Sequence, residues 1–346
     1  MRVFLRIISV IFLINSTIAA TSSDSHGVIL VYHHVSTSTP PSTSISPEDF
    51  RKHLDYLQQN GFSVIPLDQM LETLQTGKQL PDKAIAITFD DGYLSIYDTA
   101  FPMLQSYEFP FTLFLSTGPI DRRQQNFMNW EQVKEMSEAG VIIANHMVEH
   151  PYMLDKDPGE SEIQWISRLE KELLVAEERI KQQTGQSHRY LAYPFGEFNT
   201  EIKTMLETNG FIGLAQNSGA IGVNSDFLSL PRFPLASIYA NLDTAKIKLD
   251  SKSFNVELLN PQSPVTEVRN PSVTLKFNDG NYNLSQIGCF ANSKPLPMTW
   301  IDRDKGILSI EPTEEFAGRR WRYLCTAPVS GENRYYWYSI QWIKLN

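Results

Sequence analysis

The chain has 346 residues, of which 42% are hydrophobic and 20% are charged. This length and composition are typical of a folded globular protein of about two domains and exclude collagen-like, coiled-coil and disordered chains. The formal net charge is −9, and an acidic chain is a poor partner for nucleic acid or an anionic membrane surface. We therefore expect no nucleic-acid partner.

The first twenty residues have the pattern of a signal peptide. Arg2 and Arg6 precede an apolar run from Ile7 to Ile14, and small residues follow it. The run is shorter than the roughly 18–20 apolar residues that a membrane span requires. We predict that residues 1–20 are removed and that the mature chain is exported, to the periplasm or outside the cell. An uncleaved anchor is the alternative.

The chain contains two cysteines, Cys289 and Cys325. Downstream of an export signal, one disulfide between them is the simplest interpretation, and two unpaired buried thiols are the alternative. Neither cysteine has a second cysteine or a histidine nearby in sequence. A zinc site built on cysteine is therefore not expected.

Short apolar runs alternate with amphipathic stretches over residues 28–232. Runs that are hydrophobic on both faces are typical of strands in a parallel sheet covered by helices. The predicted strands are Val28–Tyr32, Phe62–Ile65, Ala84–Phe89, Phe111–Leu115, Val141–Ala144, Tyr190–Tyr193 and Phe211–Leu214. No G-x-G-x-x-G motif follows any of them. This α/β pattern of βα-type repeats favours a distorted (β/α)7-type barrel over an open doubly wound sheet.

The predicted helices have recognisable ends. Pro47 begins a helix over Glu48–Asn60, and Asn129 with Gln132 forms a plausible capping box. The longest helix runs from about Glu160 to Thr184 and stops before a glycine. One stripe of this helix is predicted to be buried: Ile163, Ile166, Leu169, Leu173, Ala176 and Ile180.

Beyond Ala240 the pattern changes, and after the proline-rich stretch at residues 260–271 strands alternate with turns without an amphipathic helix. Cys289, Trp300 and Cys325, with Tyr323 two residues before the second cysteine, are typical of an immunoglobulin-like sandwich. We therefore predict a C-terminal all-β sandwich (immunoglobulin-like) domain. Its aromatic tail over residues 335–342 could stack on sugar rings, although an alternating strand core is the more common explanation.

These patterns predict a division of the chain into four parts. Residues 1–20 form the signal peptide and residues 21–245 form the first domain. A linker or first sandwich strand occupies residues 246–270, which include part of a proline-rich stretch. The C-terminal β-sandwich domain occupies residues 271–346.

Two adjacent carboxylates, Asp90 and Asp91, end the apolar strand of the segment AIAITFDDGY at residues 84–93. Acids at the end of a barrel strand lie at the mouth of the barrel, where active sites form. Neighbours on an extended chain alternate faces, so one carboxylate can bind a metal while the other handles a proton. The alternative is a turn in which Asp and Gly serve the backbone.

A second group of polar residues follows the strand Val141–Ala144. His146 and His150 are four residues apart, and on one helical turn both imidazoles would lie on the same face. Two histidines and one carboxylate with an open position form a catalytic zinc site. Met147 replaces the glutamate that a zincin requires, and Glu149 is expected to be solvated or paired. Two ordinary surface histidines are the alternative.

These motifs resemble those of the polysaccharide deacetylases, the NodB-homology or carbohydrate esterase family four enzymes. The resemblance covers residues 28–240 and rests on TFDDGY at 88–93, the H-x-x-x-H pair, YPFG at 193–196 and PR at 231–232. Within the family the chain is most similar to the exported branch that deacetylates poly-N-acetylglucosamine. Chains of that branch open with a strand ending in a Tyr/Phe-His motif, here VYHHV at 31–35.

The resemblance implies roles for individual residues. Asp90 would be the general base, and Asp91, His146 and His150 would hold the metal. The residue before the motif glycine would supply a backbone N–H to the oxyanion, and this position is Phe195.

Two further roles follow less directly. The general acid of the exported branch comes from the N-terminal strand, where His33 aligns better than His34. The arginine that orients the catalytic aspartate in the family is missing, because Leu191–Tyr193 occupy its place and Arg189 is too early. Arg232 is our substitute, with an ordinary surface ion pair as the alternative.

Aromatic residues beside the motifs could line a groove for sugar rings. The candidates are Tyr93, Trp130, Tyr152 and Tyr193, and Phe198 lies close to them in sequence. Packing around the bases of loops is the alternative explanation for each.

The resemblance implies a metal-dependent hydrolase that removes N-acetyl groups from an N-acetylglucosamine-containing polysaccharide. Zn²⁺ is the expected metal, and Co²⁺, Ni²⁺ or Fe²⁺ could also bind two histidines and one aspartate. The alternatives are an O-acetyl esterase acting on acetylated polysaccharide and a catalytically inactive glycan-binding protein. The C-terminal domain is a candidate for contact with cell-envelope glycan.

Overall fold

The structure is a computed structural model that describes residues 25–261 and 263–345. The predicted signal peptide at residues 1–20 therefore lies outside the described residues. Within the described part of the chain, no helix has the length and apolar character needed to cross a membrane.

A mixed sheet organises the first part of the chain. The strands of this part are β1 (His26–Tyr32), β2 (His34–Val35), β3 (Ser44–Ile45), β4 (Ser63–Val64), β5 (Ala84–Phe89), β6 (Phe111–Leu115), β7 (Ile142–Asn145), β8 (Tyr190–Ala192), β9 (Ile212–Leu214), β10 (Ile221–Gly222) and β11 (Phe233–Pro234). The main path is β10-β1-β5-β6-β7-β8-β9, in which only β10 is antiparallel to its neighbour. The described end strands β9 and β10 do not pair with one another, so the barrel is incomplete.

The α/β prediction is confirmed. All seven predicted strands are present, with ends within two residues of the predicted ones. The order of the parallel strands from β1 to β9 follows the chain, which is the winding of a distorted barrel rather than of a doubly wound sheet. Strands β5 and β6 are buried at every residue, which explains why they read as continuous apolar runs.

Helices cover this sheet. They are α1 (Pro47–Gln59), α2 (Leu67–Gln75), α3 (Phe101–Ser106), α4 (Thr117–Asp121), α5 (Trp130–Glu138), α6 (Glu162–Thr184), α7 (Thr200–Thr208) and α8 (Leu242–Leu249). The capping box predicted at Asn129 and Gln132 is confirmed at the start of α5. Helix α6 ends at Gly185, whose φ of 77° only glycine adopts readily.

The buried stripe of α6 differs from the prediction at its first turn. Leu169, Leu173, Ala176 and Ile180 are buried as predicted, but Ile163 is 83% exposed. Trp165 takes the buried position instead, and its indole N–H donates to the Met153 carbonyl at 2.9 Å. Two residues correspond to about 200° of helical rotation, so Ile163 must point away when Trp165 points inward.

The C-terminal part contains two β-sheets that share one hydrophobic core. Its strands are β12 (Lys252–Ser253), β13 (Val256–Asn260), β14 (Val273–Phe277), β15 (Gly288–Ala291), β16 (Lys294–Pro295), β17 (Met298–Asp302), β18 (Ile307–Ile310), β19 (Arg320–Pro328) and β20 (Tyr335–Ile343). One sheet has the order β12-β20-β19-β15-β16, and the other has the order β13-β14-β18-β17. Helix α8 spans the predicted boundary at residue 245.

A disulfide joins Cys289 and Cys325, so the predicted pairing is confirmed. The two cysteines face each other on the neighbouring strands β15 and β19 of one sheet. The disulfide of an immunoglobulin domain joins its two sheets instead. Tyr323 donates its hydroxyl hydrogen to the Pro271 carbonyl at 3.0 Å. Because the disulfide lies within one sheet, the immunoglobulin-like assignment stays a prediction.

The two faces of α6 give a matched test of the fold. We expect Trp165→Ala to lower the free energy of unfolding by about 3–5 kcal/mol, because it leaves a cavity and removes the hydrogen bond to Met153. Ile163→Ala on the exposed face should change it by less than about 0.5 kcal/mol. Urea denaturation followed by circular dichroism measures both, and equal losses would contradict this packing.

Candidate active site

The polar residues singled out by the sequence follow the carboxyl ends of parallel strands. His33 follows β1, Asp90 and Asp91 follow β5, His146 follows β7, and the turn Pro194–Gly196 follows β8. Since the carboxyl ends of parallel strands meet at one edge of a barrel, these residues are brought together although they are far apart in sequence.

Three side chains form a group that could hold a metal ion. The Asp91 Oδ1 atom lies 3.1 Å from His146 Nε2 and 3.3 Å from His150 Nε2. One potential ligand atom from each residue lies within 4.8 Å of the others. Asp91 Oδ1 and His146 Nε2 are buried, and neither has a hydrogen-bond partner among the described residues. Buried electron-pair donors that face each other without hydrogen-bond partners have the arrangement expected around a cation.

The backbone orients His146 toward this group. Its Nδ1–H donates to the Ala192 carbonyl at 2.7 Å, which leaves Nε2 with a lone pair directed at the site. A hydrogen bond from the ring nitrogen that does not bind the metal commonly fixes the orientation of a metal-binding histidine. The sequence contained no signal for the carbonyl of Ala192, because a backbone acceptor leaves no side-chain pattern.

The two histidines lie on a loop, so the helical turn predicted for them is wrong. Met147 and His150 have φ values of 65° and 53°, in the left-handed region that ends helices. The loop backbone bonds to its neighbours instead: the Met147 N–H donates to Asn145 Oδ1 at 2.8 Å, and the Val148 carbonyl accepts from the Gly118 N–H at 2.9 Å.

The charges in the group favour cation binding. Burial opposes ionisation of Asp91, but the imidazoles of His146 and His33 outweigh it and hold the pKa of that carboxyl well below its usual range. Burial lowers the pKa of His150 to about 4, so its imidazole is neutral at pH 7. Burial also disfavours the charged form of His146, but Asp91 and Asp90 raise its pKa, so a proton and a cation compete for its Nε2 atom.

The donor set fits a divalent cation. Two imidazole nitrogens and one carboxylate oxygen are typical of catalytic Zn²⁺ sites that keep a position open for water or substrate. Co²⁺, Ni²⁺ and Fe²⁺ accept the same donors. The geometry therefore supports a metal site without specifying the ion.

Asp90 forms a buried ion pair with Arg232. Both side chains have 0% exposure, and the guanidinium donates to both carboxylate oxygens at 2.7 Å. Arg232 also donates to the Ala215 carbonyl at 2.9 Å and to Thr88 Oγ1 at 3.1 Å. The alternative of an ordinary surface ion pair is wrong, because neither partner reaches solvent.

This ion pair determines the ionisation state of the Asp90 carboxyl. Burial alone would raise the pKa of Asp90, but the Arg232 guanidinium, and then His146, hold it below its usual range. Asp90 is therefore ionised at neutral pH, which a general base requires.

The adjacent histidines His33 and His34 have different environments. His33 is half-buried at the end of β1, close enough to Asp90, Asp91 and His150 to alter their pKa values. His34 is buried and stacks on Tyr93 with a ring-centroid distance of 3.7 Å. His34 also lies close enough to Asp91 for that charge to act on its pKa. Its ring packing against Tyr93 therefore distinguishes His34 from His33.

Phe195 has a φ of 57°, in the left-handed region that a bulky residue rarely adopts. Its ring lies 4.5 Å from the His150 ring and stacks on Tyr152 at 3.8 Å. Backbone conformations of this kind persist where the surroundings impose them, often at functional sites.

Strands of the C-terminal part hold the Phe195 loop. The Arg320 guanidinium donates to the Phe195 carbonyl, and Gln341 Nε2 donates to the Gly196 carbonyl at 2.6 Å. Arg319 donates to both oxygens of the buried Glu197, at 2.8 and 2.7 Å. Sequence reasoning missed these residues, because contacts between segments 122 or more residues apart leave no local motif.

The predicted groove residues lie in different places. Tyr152 is 41% exposed between Phe195 and Arg319, and Tyr93 is half-buried against His34. The Trp130 indole N–H donates to Asp121 at 2.7 Å. The prediction for Tyr193 is wrong: the ring has 0% exposure in the core.

Other residues near the motifs are structural. The Tyr193 hydroxyl donates to the Leu228 carbonyl at 2.6 Å, and its ring stacks on Phe198 at 4.9 Å. Glu149 forms a two-point ion pair with Arg122 at 2.5 and 2.8 Å, so the prediction that it is solvated or paired is confirmed.

Comparison with known proteins agrees with this geometry. Residues 77–213 match the family described as Polysaccharide deacetylase. The chain carries a polysaccharide deacetylase domain. The predicted family resemblance is therefore confirmed for this domain, which contains Asp90, Asp91, His146, His150 and Phe195.

Relatives of the deacetylase domain include named enzymes. The chain is 23% identical over 228 residues to the poly-beta-1,6-N-acetyl-D-glucosamine N-deacetylase of Escherichia coli, covering 56% of this chain and 34% of that relative. It is 25% identical over 194 residues to the enzyme of the same name from Staphylococcus epidermidis, covering 55% and 67%. The chain thus spans about a third of the length of the first and two thirds of the second.

A solved structure has a similar fold. IcaB from Ammonifex degensii superposes with a TM-score of 0.57 at 27% identity, covering 66% of this chain and 98% of that chain. The remaining third of this chain falls outside the match.

We expect Asp91→Asn to abolish tight binding of Zn²⁺ by the full chain, because it removes the anionic ligand of the group. Glu149→Gln is the matched control, since Glu149 lies between the two histidines in sequence but pairs with Arg122. Isothermal titration with zinc measures both. Unchanged affinity in Asp91→Asn would refute the assigned site.

Proposed function

We propose that this protein is a metal-dependent hydrolase that removes N-acetyl groups from an N-acetylglucosamine-containing polysaccharide. The observation that carries the proposal is the group of potential metal ligands from Asp91, His146 and His150, of which the first two are buried, beside the buried Asp90–Arg232 ion pair. A protein that only binds glycan does not need a general base beside a metal site, so this arrangement favours an enzyme over an inactive glycan-binding protein. The names of the relatives support the substrate class.

A divalent cation held by Asp91, His146 and His150 would polarise the acetamide carbonyl and make a bound water more acidic. Asp90 removes the proton from the attacking water as general base. Arg232 binds both Asp90 oxygens, so it keeps the carboxylate ionised and fixed in orientation. Arg232 is therefore a positioning residue.

Phe195 and His33 complete the proposed reaction. The backbone N–H of Phe195 donates to the developing oxyanion, in a turn whose conformation is held from outside the loop. His33 protonates the leaving amine, because histidine is the side chain that most commonly donates a proton near pH 7. Tyr152 is the exposed aromatic residue placed to contact a sugar ring beside Phe195.

The proposal includes export and a division into domains. Residues 1–20 would direct the chain to the periplasm or outside the cell, residues 21–245 would form the catalytic domain, and residues 271–346 would form an immunoglobulin-like sandwich joined through 246–270. The two-sheet architecture supports the last assignment, whereas the disulfide within one sheet does not. Contact of this domain with cell-envelope glycan belongs to the proposal.

The function is tested by acetate release from purified chain 21–346 reloaded with zinc. The substrates are poly-N-acetylglucosamine, chitooligosaccharides, peptidoglycan and acetyl-xylan. We expect release from an N-acetylated polymer, loss of release with chelator, and at least a hundredfold loss in Asp90→Asn with zinc retained. Release from none of the four would favour an inactive glycan-binding protein. Release from acetyl-xylan alone would identify an O-acetyl esterase.

We expect His33→Ala to slow amide hydrolysis more than ester hydrolysis, by at least tenfold in the ratio of the two rates. An amine must be protonated to leave, whereas an alkoxide leaving group needs less help from an acid. Rates of acetate release from an N-acetylated and an O-acetylated substrate measure this ratio. His34→Ala is the neighbouring control, and equal losses on both substrates in His33→Ala would refute the general-acid role.

A further inference from the structure

A cleft of about 780 Å³ lies between the proposed active site and the C-terminal five-stranded sheet. Two residues that line the cleft, Phe195 and Gln216, also lie beside residues of the proposed active site. Gln216 Nε2 lies 3.5 Å from Asp90 Oδ2, and the Phe195 ring contacts His150. The cleft therefore adjoins the reacting centre.

The outer face of the sheet forms the opposite wall. On β19 the side chains of Trp321, Tyr323 and Cys325 are buried in the sandwich core. The alternating residues Arg322 and Leu324 therefore face the cleft, which they line. The register places Leu324 opposite Phe290 on one side and Ser339 on the other. This wall is a regular sheet surface rather than a loop.

The cleft is cationic in an acidic protein. Its described lining includes Lys248, Arg320 and Arg322 and no aspartate or glutamate, although the chain carries a net charge of −9. Arg320 is already engaged with Phe195 and Glu197. Lys248 and Arg322 have no ion-pair partner in the described part of the chain. An anionic ligand would supply the missing charge.

Lys248 gives the second indication of an anionic ligand. The residue is 7% exposed, and its ammonium lies 4.3 Å from the centre of the Tyr239 ring without a carboxylate in reach. Burial and the charge of Arg322 lower its pKa to about 8. A buried cation without a counter-charge costs free energy, and a bound anion would offset this cost.

We propose that this cleft binds an anionic sugar, such as one bearing a carboxylate, of the same glycan whose acetamido sugar occupies the active site, with the anionic group between Lys248 and Arg322. The inference rests on the proposed function and specifies its substrate as an acidic glycan. Trp337, Tyr239 and Phe290 also line the cleft and offer apolar surface to pyranose rings. A deacetylated sugar carries an ammonium group, which the same cations would repel.

The test uses two oligosaccharides of identical linkage. A hyaluronan hexasaccharide alternates N-acetylglucosamine with a carboxylate sugar, and its carboxyl-reduced form is neutral. We expect the zinc-loaded chain 21–346 to bind the acidic form at least tenfold more tightly in isothermal titration. Lys248→Met and Arg322→Gln should each reduce this ratio to threefold or less. Arg322 is half-buried rather than buried, so Arg322→Gln tests the site even where Lys248→Met fails to fold.

Two variants serve as matched controls. Lys246→Met lies on the same helix, but Lys246 pairs with Asp243, and Arg303→Gln removes a guanidinium that lies over Trp300 outside the cleft. Both should keep the wild-type preference. Equal affinity for the two hexasaccharides, or a preference that survives both cleft substitutions, would overturn the inference.

Two other outcomes are distinguishable. Because the proposed reaction releases acetate, the titration is repeated with sodium acetate as the probe. Acetate binding that requires Lys248 and Arg322, without preference for the acidic hexasaccharide, would assign the cleft to a free carboxylate and overturn the glycan proposal. Acetate release is also measured on the acidic hexasaccharide. Release from neutral polymers without any acidic preference would overturn this inference alone, whereas no release from the four polymers or from the acidic hexasaccharide would contradict the proposed function.

Discussion

The account depends on buried polar atoms that the protein itself leaves without partners. Asp91 Oδ1 and His146 Nε2 face each other in the barrel mouth and form no hydrogen bond with described residues. An orphaned buried group costs about 1–3 kcal/mol, so such an arrangement persists when something else satisfies it. A divalent cation accepts electron pairs from all three ligands. The backbone supports this reading, because Ala192 fixes the one ring orientation that keeps His146 Nε2 free.

The base beside this group is arranged in the opposite way. Asp90 is fully satisfied by Arg232, which is itself tied to Ala215 and Thr88. A carboxylate without access to solvent would otherwise become protonated. The two neighbouring aspartates of the motif thus have different partners. Asp90 is neutralised by the buried guanidinium of Arg232, and Asp91 points at the two histidines.

The C-terminal part of the chain holds one loop of the proposed active site in place. Arg320 and Gln341 bind the carbonyls of the Phe195 loop, and Arg319 pairs with Glu197 behind it. Glu197 is buried, so Arg319, with Arg320 at 3.6 Å, compensates its loss of solvation. The left-handed conformation of Phe195 is therefore supported by residues far along the chain. This arrangement couples the geometry of the proposed oxyanion donor to the folding of both parts.

Much of the fold and site follows from local sequence, and the remainder does not. The strands β5 and β6 were predictable because burial on both faces produces continuous apolar runs, and TFDDGY with the H-x-x-x-H pair identified the ligands. The buried turn of α6 was assigned to Ile163 because periodicity alone does not choose between it and Trp165. Tyr193 was misplaced because a motif position does not reveal which way a side chain points. The contacts of Arg319 and Gln341 depend on tertiary proximity, for which a single sequence contains no signal.

The central claim is that Asp91, His146 and His150 bind one divalent ion. Anomalous diffraction at the zinc absorption edge, from crystals of chain 21–346 grown with zinc, tests it most directly. We expect a single strong peak within about 2.0–2.2 Å of one oxygen of Asp91 and one nitrogen of each histidine. A peak elsewhere, or three side chains that stay beyond coordination distance with zinc present, would contradict the account.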